Sequence, residues 1–219
     1  ENTVVSESDR VISEAFLNSV KTQSKRIMVV DFATNHSVGG SVSNSIASAN
    51  TDNAFLSMQR PLTLNNVIPT YDAQPSNQNS SISTLASATN FFFEDEFSTT
   101  DLLTNLSTSI YDIIIVNPFV TNSSSLSNLM TTDQITALKL KHGSSATRLV
   151  FAYIDLTDVK SSDYRYSPTS SYYDTQTSVS GVYKVKFWKK AWKDLIYGNT
   201  SSLTHILESR GFDGVVIDD

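Results

Sequence analysis

Apolar positions recur along this chain with two different periods, and the alternation between those periods sets the expected architecture. Val11, Ile12, Ala15, Phe16 and Val20 fall at helical spacing behind the polar stretch Ser6-Glu7-Ser8-Asp9. That pattern predicts an amphipathic helix over residues 8–22 with a capped start, packed on a sheet. Residues 26–33 (RIMVVDFA) form a continuous apolar run broken by Asp31, the mark of a strand buried on both faces that carries a carboxylate near its end. Residues 34–90 are mostly Ser, Asn, Ala and Gln, and only Ala54-Phe55-Leu56 and Val67-Ile68-Pro69 hint at order. A long irregular region is expected there.

Phe91-Phe92-Phe93 starts a short strand, residues 98–106 (STTDLLTNL) read as a short helix, and residues 111–118 (YDIIIVNP) are the strongest strand in the chain. Residues 131–140 read as a helix with Thr132 as N-cap and Ile135, Leu138 and Leu140 as its apolar face, followed by another buried strand over 148–156 (RLVFAYIDL). Residues 157–181 look like a loop in which Tyr164, Tyr166, Tyr172 and Tyr173 are interleaved with Ser and Asp. Val185 to Trp188 reads as a short strand, and residues 191–197 and 202–210 as helices, with Gly211 where a left-handed cap belongs. Residues 211–219 (GFDGVVIDD) form a last strand.

Strands alternating with helices argue for βα units on a parallel sheet. The expected fold class is therefore α/β of the (β/α)8 barrel type, incomplete, with about four to five of its strands present. Residues 1–219 are read as one N-terminal portion of such a catalytic domain. In a barrel the active site is built at the C-terminal ends of the strands, so Asp31, Asn117, and Asp218 with Asp219, each ending an apolar run, are expected to share one mouth. A doubly wound open sheet shows the same alternation. Against it, Gly39-Gly40 follows a polar stretch and lacks the G-x-G-x-x-G spacing of a phosphate turn.

Composition narrows the chemistry. With 39% hydrophobic and 17% charged residues the chain has enough apolar content to fold, and its polarity comes from Ser, Thr and Asn. A formal charge of −6 excludes a protein whose affinity comes from neutralising phosphates, so nucleic acid is not an expected partner. The absence of cysteine removes disulfides, Cys-ligated zinc and thiol catalysis. His36, His142 and His205 are scattered without H-x-x-x-H spacing, and neither a metal nor a cofactor is expected. No apolar run approaches the ~20 residues of a membrane helix. The Ser/Thr/Asn-rich habit fits a secreted or cell-surface bacterial protein acting on polysaccharide.

Three segments in order resemble the endo-α-1,4-polygalactosaminidase group of barrel glycoside hydrolases. Residues 85–119, with ATNFFF followed by a short helix and YDIIIVNPF, resemble the group's "AKNFLY … YDLLIIDLF". Residues 148–166 (RLVFAYIDL…SSDYRY) resemble "RLVISYMSIGEAEDYRYYW", and residues 185–219 (VKFWKKAWKDLIY…LTHILESRGFDGVVIDD) resemble "VKYWNPEWKKIIL … LDKIIDAGFDGVYLDWVDAY". Order and spacing over 85–219 make the match more specific than any single motif. A partial likeness of DGVVIDD to the chitinase signature D-G-x-D-x-D-x-E ranks lower, because Val216 stands where the middle Asp belongs.

The resemblance implies a glycosidase of an α-linked, amino-sugar-containing or related polysaccharide, with polysaccharide or oligosaccharide as partner. It places the active-site Asp at the end of the fourth barrel strand on Asp218. Glycosidic cleavage uses two carboxyl groups, and the family's second, usually a Glu, lies on a later strand, so the chain alone is expected to be inactive. Asp31, Asn117, Tyr153, Asp155, Asp158, Tyr164, Arg165 and Asp219 are the expected substrate-binding residues. Asn117 stands where the family ends a strand in Asp, and Asp158 is the nearest substitute for its lost Gly-Glu pair. Those departures motivate an alternative, a catalytically degenerate barrel that binds carbohydrate at a surface. Asp213 is expected to hold the helix-to-strand turn through local amides. Trp188 and Trp192, four apart, are read either as sugar-stacking rings or as one helix's core face, and Lys184, Lys186, Lys189, Lys190 and Lys193 as a solvated helix face.

Overall fold

The structure, a computed structural model, describes residues 7–23, 25–33, 48–61 and 78–218. Helix α1 (Glu7–Lys21) leads into strand β1 (Met28–Ala33), then a helical stretch α2 over residues 48–52 and strand β2 (Leu56–Pro61). Strand β3 (Phe91–Glu94), helix α3 (Thr100–Ser107), strand β4 (Ile113–Val116), helix α4 (Thr132–Leu138) and strand β5 (Leu149–Asp155) follow. After them come β6 (Asp158–Lys160), β7 (Tyr173–Gln176), β8 (Val182–Val185), helices α5 (Lys190–Ile196) and α6 (Leu203–Arg210), and strand β9 (Gly214–Asp218).

The expected barrel is not what forms. Among the described residues β1 and β2 make a two-stranded parallel sheet, β3-β4-β5-β9 a four-stranded parallel sheet, and β6-β8-β7 a three-stranded antiparallel sheet, with no ladder joining them into a ring. The alternation of strand and helix says that successive strands run parallel and are covered by helices. Closure is a separate condition, set by tilt and stagger across the whole sheet, which local periodicity does not encode. The antiparallel sheet also occupies residues 157–185, read above as a loop and one short strand. β8 ends at Val185, so Phe187 and Trp188 lie in the turn after it.

The main core lies between the four-stranded sheet and α3, α4 and α6. β4 is buried along its whole length, and Leu102, Leu106, Ile135, Leu138, Leu203 and Leu207 close over it from the helices. On β5 the burial alternates: Val150, Ala152 and Ile154 are buried, while Leu149, Phe151, Tyr153 and Asp155 are half-buried on the opposite face. A second cluster gathers Val159, Tyr172, Val185, Trp192 and Ile196 under the antiparallel sheet.

Local chemistry sets several boundaries. Thr131, one residue before the expected cap, is the N-cap of α4 and forms a capping box with Gln134. Gly211 ends α6 with φ 106°, the left-handed cap that the sequence pattern predicts. Arg148, fully buried ahead of β5, donates to the carbonyls of Leu106 (3.0 Å), Leu138 (2.5 Å) and Leu140 and to Ser109 Oγ (2.7 Å), joining the ends of α3 and α4. Asp213 reaches across the sheet rather than to local amides: its Oδ2 accepts from the Val150 amide at 2.8 Å and its Oδ1 from Lys139 Nζ at 2.7 Å.

Helix α1 departs from expectation. Lys21 Nζ donates to Asn53 O at 2.6 Å and Asn18 Nδ2 to Asn53 Oδ1 at 2.9 Å, yet Val11, Ile12 and Phe16 stay exposed. Helical spacing predicts that an apolar face exists, not what covers it. No helix among the described residues is long and apolar enough to cross a membrane.

Candidate functional site

Parallel pairing brings the C-terminal ends of β3, β4, β5 and β9 to one rim. β1 and β2 end on the same side, since Gln59, the register partner of Asp31, precedes Arg60, whose guanidinium bonds Glu94 at the end of β3 (2.8 Å). At this rim a cleft of about 230 Å³ opens, lined by Asp95, Glu96 and Phe97 after β3, Asn117 and Phe119 after β4, Tyr153 and Asp155 on β5, Asp158 and Lys160 on β6, and Asp163 and Arg165 beyond it. That volume lies below the ~300 Å³ at which pockets for drug-sized ligands begin, so it suits one ring-sized group rather than a chain.

Tyr153, Asp155 and Asp218 share a face because of register. In a parallel pair, partnered residues point the same way, and Asp155 is the partner of Asp218 while Tyr153 sits two residues earlier on the same side. The Tyr153 hydroxyl donates to Asp218 Oδ2 at 2.5 Å. Burial, with the Asp218 carboxylate beside it, pushes the phenol far above its ordinary range, so Tyr153 keeps its proton and stays a donor. Asp155 Oδ1 accepts from the amides of Thr157 (3.0 Å) and Asp158 (2.9 Å). Burial nevertheless raises its pKa above the usual 3.8, opposed by those amides.

Asn117 also lines the cleft, with its side chain spent on the loops: Nδ2 donates to Asp95 O at 2.9 Å and Oδ1 accepts from the Phe119 amide at 3.1 Å. Asp158 faces Lys184 at 2.8 Å. Arg165 is buried and grips Asp163 through Nε (2.8 Å) and Nη2 (2.9 Å), over the Trp192 ring at 5.4 Å. Burial works against its charge, but the Asp163 bonds more than offset that and leave its pKa raised. Tyr164 stands behind the wall against Phe119, ring centroids 6.0 Å apart, and burial pushes its hydroxyl up to about 12.

Asp31 and Tyr164 are not among the residues that line the cleft. Asp31 is held by Asn50 Nδ2 at 2.7 Å away from the lining, its pKa raised by burial against that bond. Asp219 lies outside the described residues. Asp218 is exposed and reaches the cleft wall through Tyr153.

Sequence reasoning missed Asp95, Glu96, Phe97, Lys160 and Asp163. A signal for the first three was present: the run FFFEDEF places successive acids at the end of an apolar strand. Arg60 also escaped notice, although it ties β2 to both Glu94 (2.8 Å) and Asp95 (3.1 Å). Lys160 holds its ammonium 5.0 Å over the Phe97 ring, across the mouth of the cleft. Among the described residues no group of three or more His, Asp and Glu is placed to hold a metal. No protein-family model, curated protein or solved structure matches this chain.

Proposed function

We propose that this chain carries the catalytic cleft of a secreted or cell-surface glycoside hydrolase acting on an α-linked, amino-sugar-containing or related polysaccharide. The observation that carries the reading is the pairing of Asp155 with Asp218 on adjacent strands, with the Tyr153 hydroxyl bonded to Asp218. Register partners in a parallel pair carry their side chains on one face, so Asp155 and Asp218 present two carboxyl groups on the same side of the sheet, the number that glycosidic cleavage uses.

In this scheme Asp155, whose burial favours its protonated form, gives its proton to the leaving oxygen as the glycosidic C–O bond breaks. Asp218 attacks the anomeric carbon, and Tyr153 orients its carboxylate. Water, deprotonated by Asp155, then releases the sugar from Asp218. Asp155 thus offers within this chain the second carboxyl group that the resemblance assigns to a later strand. Asp95 and Glu96 at the mouth suit an ammonium-bearing sugar.

A non-catalytic glycan-binding role is the second reading, favoured by the Asp155 Oδ1 already committed to two backbone amides. The test is reducing-end release from partly acetylated α-1,4-galactosamine oligomers, run beside calorimetric binding. Asp218→Asn and Asp155→Asn should each lower release at least ~100-fold with binding retained. Turnover that survives Asp218→Asn removes the catalytic assignment, and binding without release in the unmodified chain selects the second reading.

A further inference from the structure

We propose that Phe187, Trp188, Lys189 and Lys193 form a surface binding strip for an acidic polysaccharide. Lys184, Lys186, Lys189, Lys190 and Lys193 supply five of the chain's 16 Lys and Arg within ten residues, without an acid among them, in a chain of net charge −6. This run concentrates positive charge within an otherwise acidic chain.

The fold holds this strip outward. Val185 turns into the second core cluster, and Trp192 is fully buried with its indole N–H donating to Leu156 O at 3.0 Å. The intervening turn is closed by Lys189 N–H to Lys186 O at 2.8 Å. What it projects is Phe187, 44% exposed, and Trp188, 54% exposed, their rings 5.2 Å apart and nearly perpendicular at 86°. The two tryptophans read from sequence as a pair are therefore split, one in the core and one at the surface.

Three of the lysines face acids: Lys184 Asp158 at 2.8 Å, Lys186 Asp174 at 3.5 Å and Lys190 Asp194 at 2.6 Å. Lys189 and Lys193, one helical turn apart, enter no ion pair among the described residues. Two exposed aromatic rings and two lysines free of ion pairs within seven residues of chain match a ligand with apolar C–H faces and regularly spaced acid groups, which is the chemistry of an acidic sugar chain. A bilayer fits less well. The apolar residues Trp192 and Ile196 of α5 point into the core, so the helix has no apolar face to lay in a membrane interface.

Trp188 is its own reporter, because the chain's other tryptophan is buried. Titration with polygalacturonate should change Trp emission at low salt, weaken at high salt, and be absent with neutral dextran. Lys189→Glu with Lys193→Glu should weaken binding about tenfold or more, and Trp188→Ala, read by co-sedimentation with the polymer, severalfold. Circular dichroism checks that the variants are folded. Polygalacturonate that leaves the emission unchanged overturns the proposal, as does equal binding by the double variant. A response to phosphatidylglycerol vesicles but not to polygalacturonate replaces the sugar chain with a lipid surface.

Discussion

The Tyr153 hydroxyl donates to Asp218 Oδ2 at 2.5 Å across 65 residues of sequence. The bond exists because β5 and β9, distant in the chain, pair in a register that puts Val216 opposite Tyr153 and Asp218 opposite Asp155. It joins a residue lining the cleft to the acid at the rim, and four predictions follow from this sheet and its supports.

Tyr153→Phe removes the donor and keeps the ring. On the proposed chemistry, kcat should fall about tenfold with KM and Tm nearly unchanged. A lowered Tm with kcat and KM changed together assigns Tyr153 a structural role only.

Asp155 is harder to ionise in the fold than in the unfolded chain, because burial raises its pKa. The sign follows directly: the folded state keeps the proton to higher pH, so stability falls as pH rises from 3.8 through the raised value. Asp155→Asn retains an acceptor for the Thr157 and Asp158 amides and avoids that penalty. Its Tm should exceed the wild type's at neutral pH, and the difference should shrink on acidification toward the unfolded pKa. A difference independent of pH contradicts the assignment.

Arg148 satisfies the carbonyls that end α3 and α4, and desolvation lowers its pKa to about 10 without removing its charge at neutral pH. Arg148→Leu leaves those carbonyls buried without their donor and should cost about 3 kcal/mol or more in urea unfolding. Arg148→Lys should recover little, since an ammonium lacks the planar fork. Full stability in either variant contradicts the clasp.

Gly214 faces the Phe151 ring, and an added Cβ meets two of its carbons at 3.1 Å. Gly214→Ala should destabilise by about 1–3 kcal/mol. In the background of Phe151→Leu the same change should cost less, and that coupling in a double-mutant cycle separates ring contact from a backbone effect. Additive losses point to the backbone.

Local physics made much of this molecule legible. The runs IIIV and LVFAYID had to be strands because nothing but burial accommodates so many adjacent branched and aromatic side chains, and both were read within a residue or two. The glycine after α6 announced its cap. The antiparallel sheet over 157–185 was missed because its strands are short, half-exposed and rich in polar residues, so they carry no two-residue rhythm. β2 was missed for a related reason: Ser57, Gln59 and Arg60 look like loop, and only the tertiary partners of Arg60 let such polar residues be buried.

By itself the sequence determined strands β1, β3, β4, β5 and β9 and helices α1, α3, α4, α5 and α6, where several of them end, and that acids stand at strand ends, because those follow from side-chain volume, branching and capping within a few residues. Only the tertiary structure decided that the parallel strands among the described residues form separate sheets, that Asp155 is paired with Asp218, that Asn117 holds a loop, and that Trp188 faces solvent while Trp192 lies in the core. Each of those depends on register and packing between segments tens of residues apart, where one residue of slip turns every side chain to the other face.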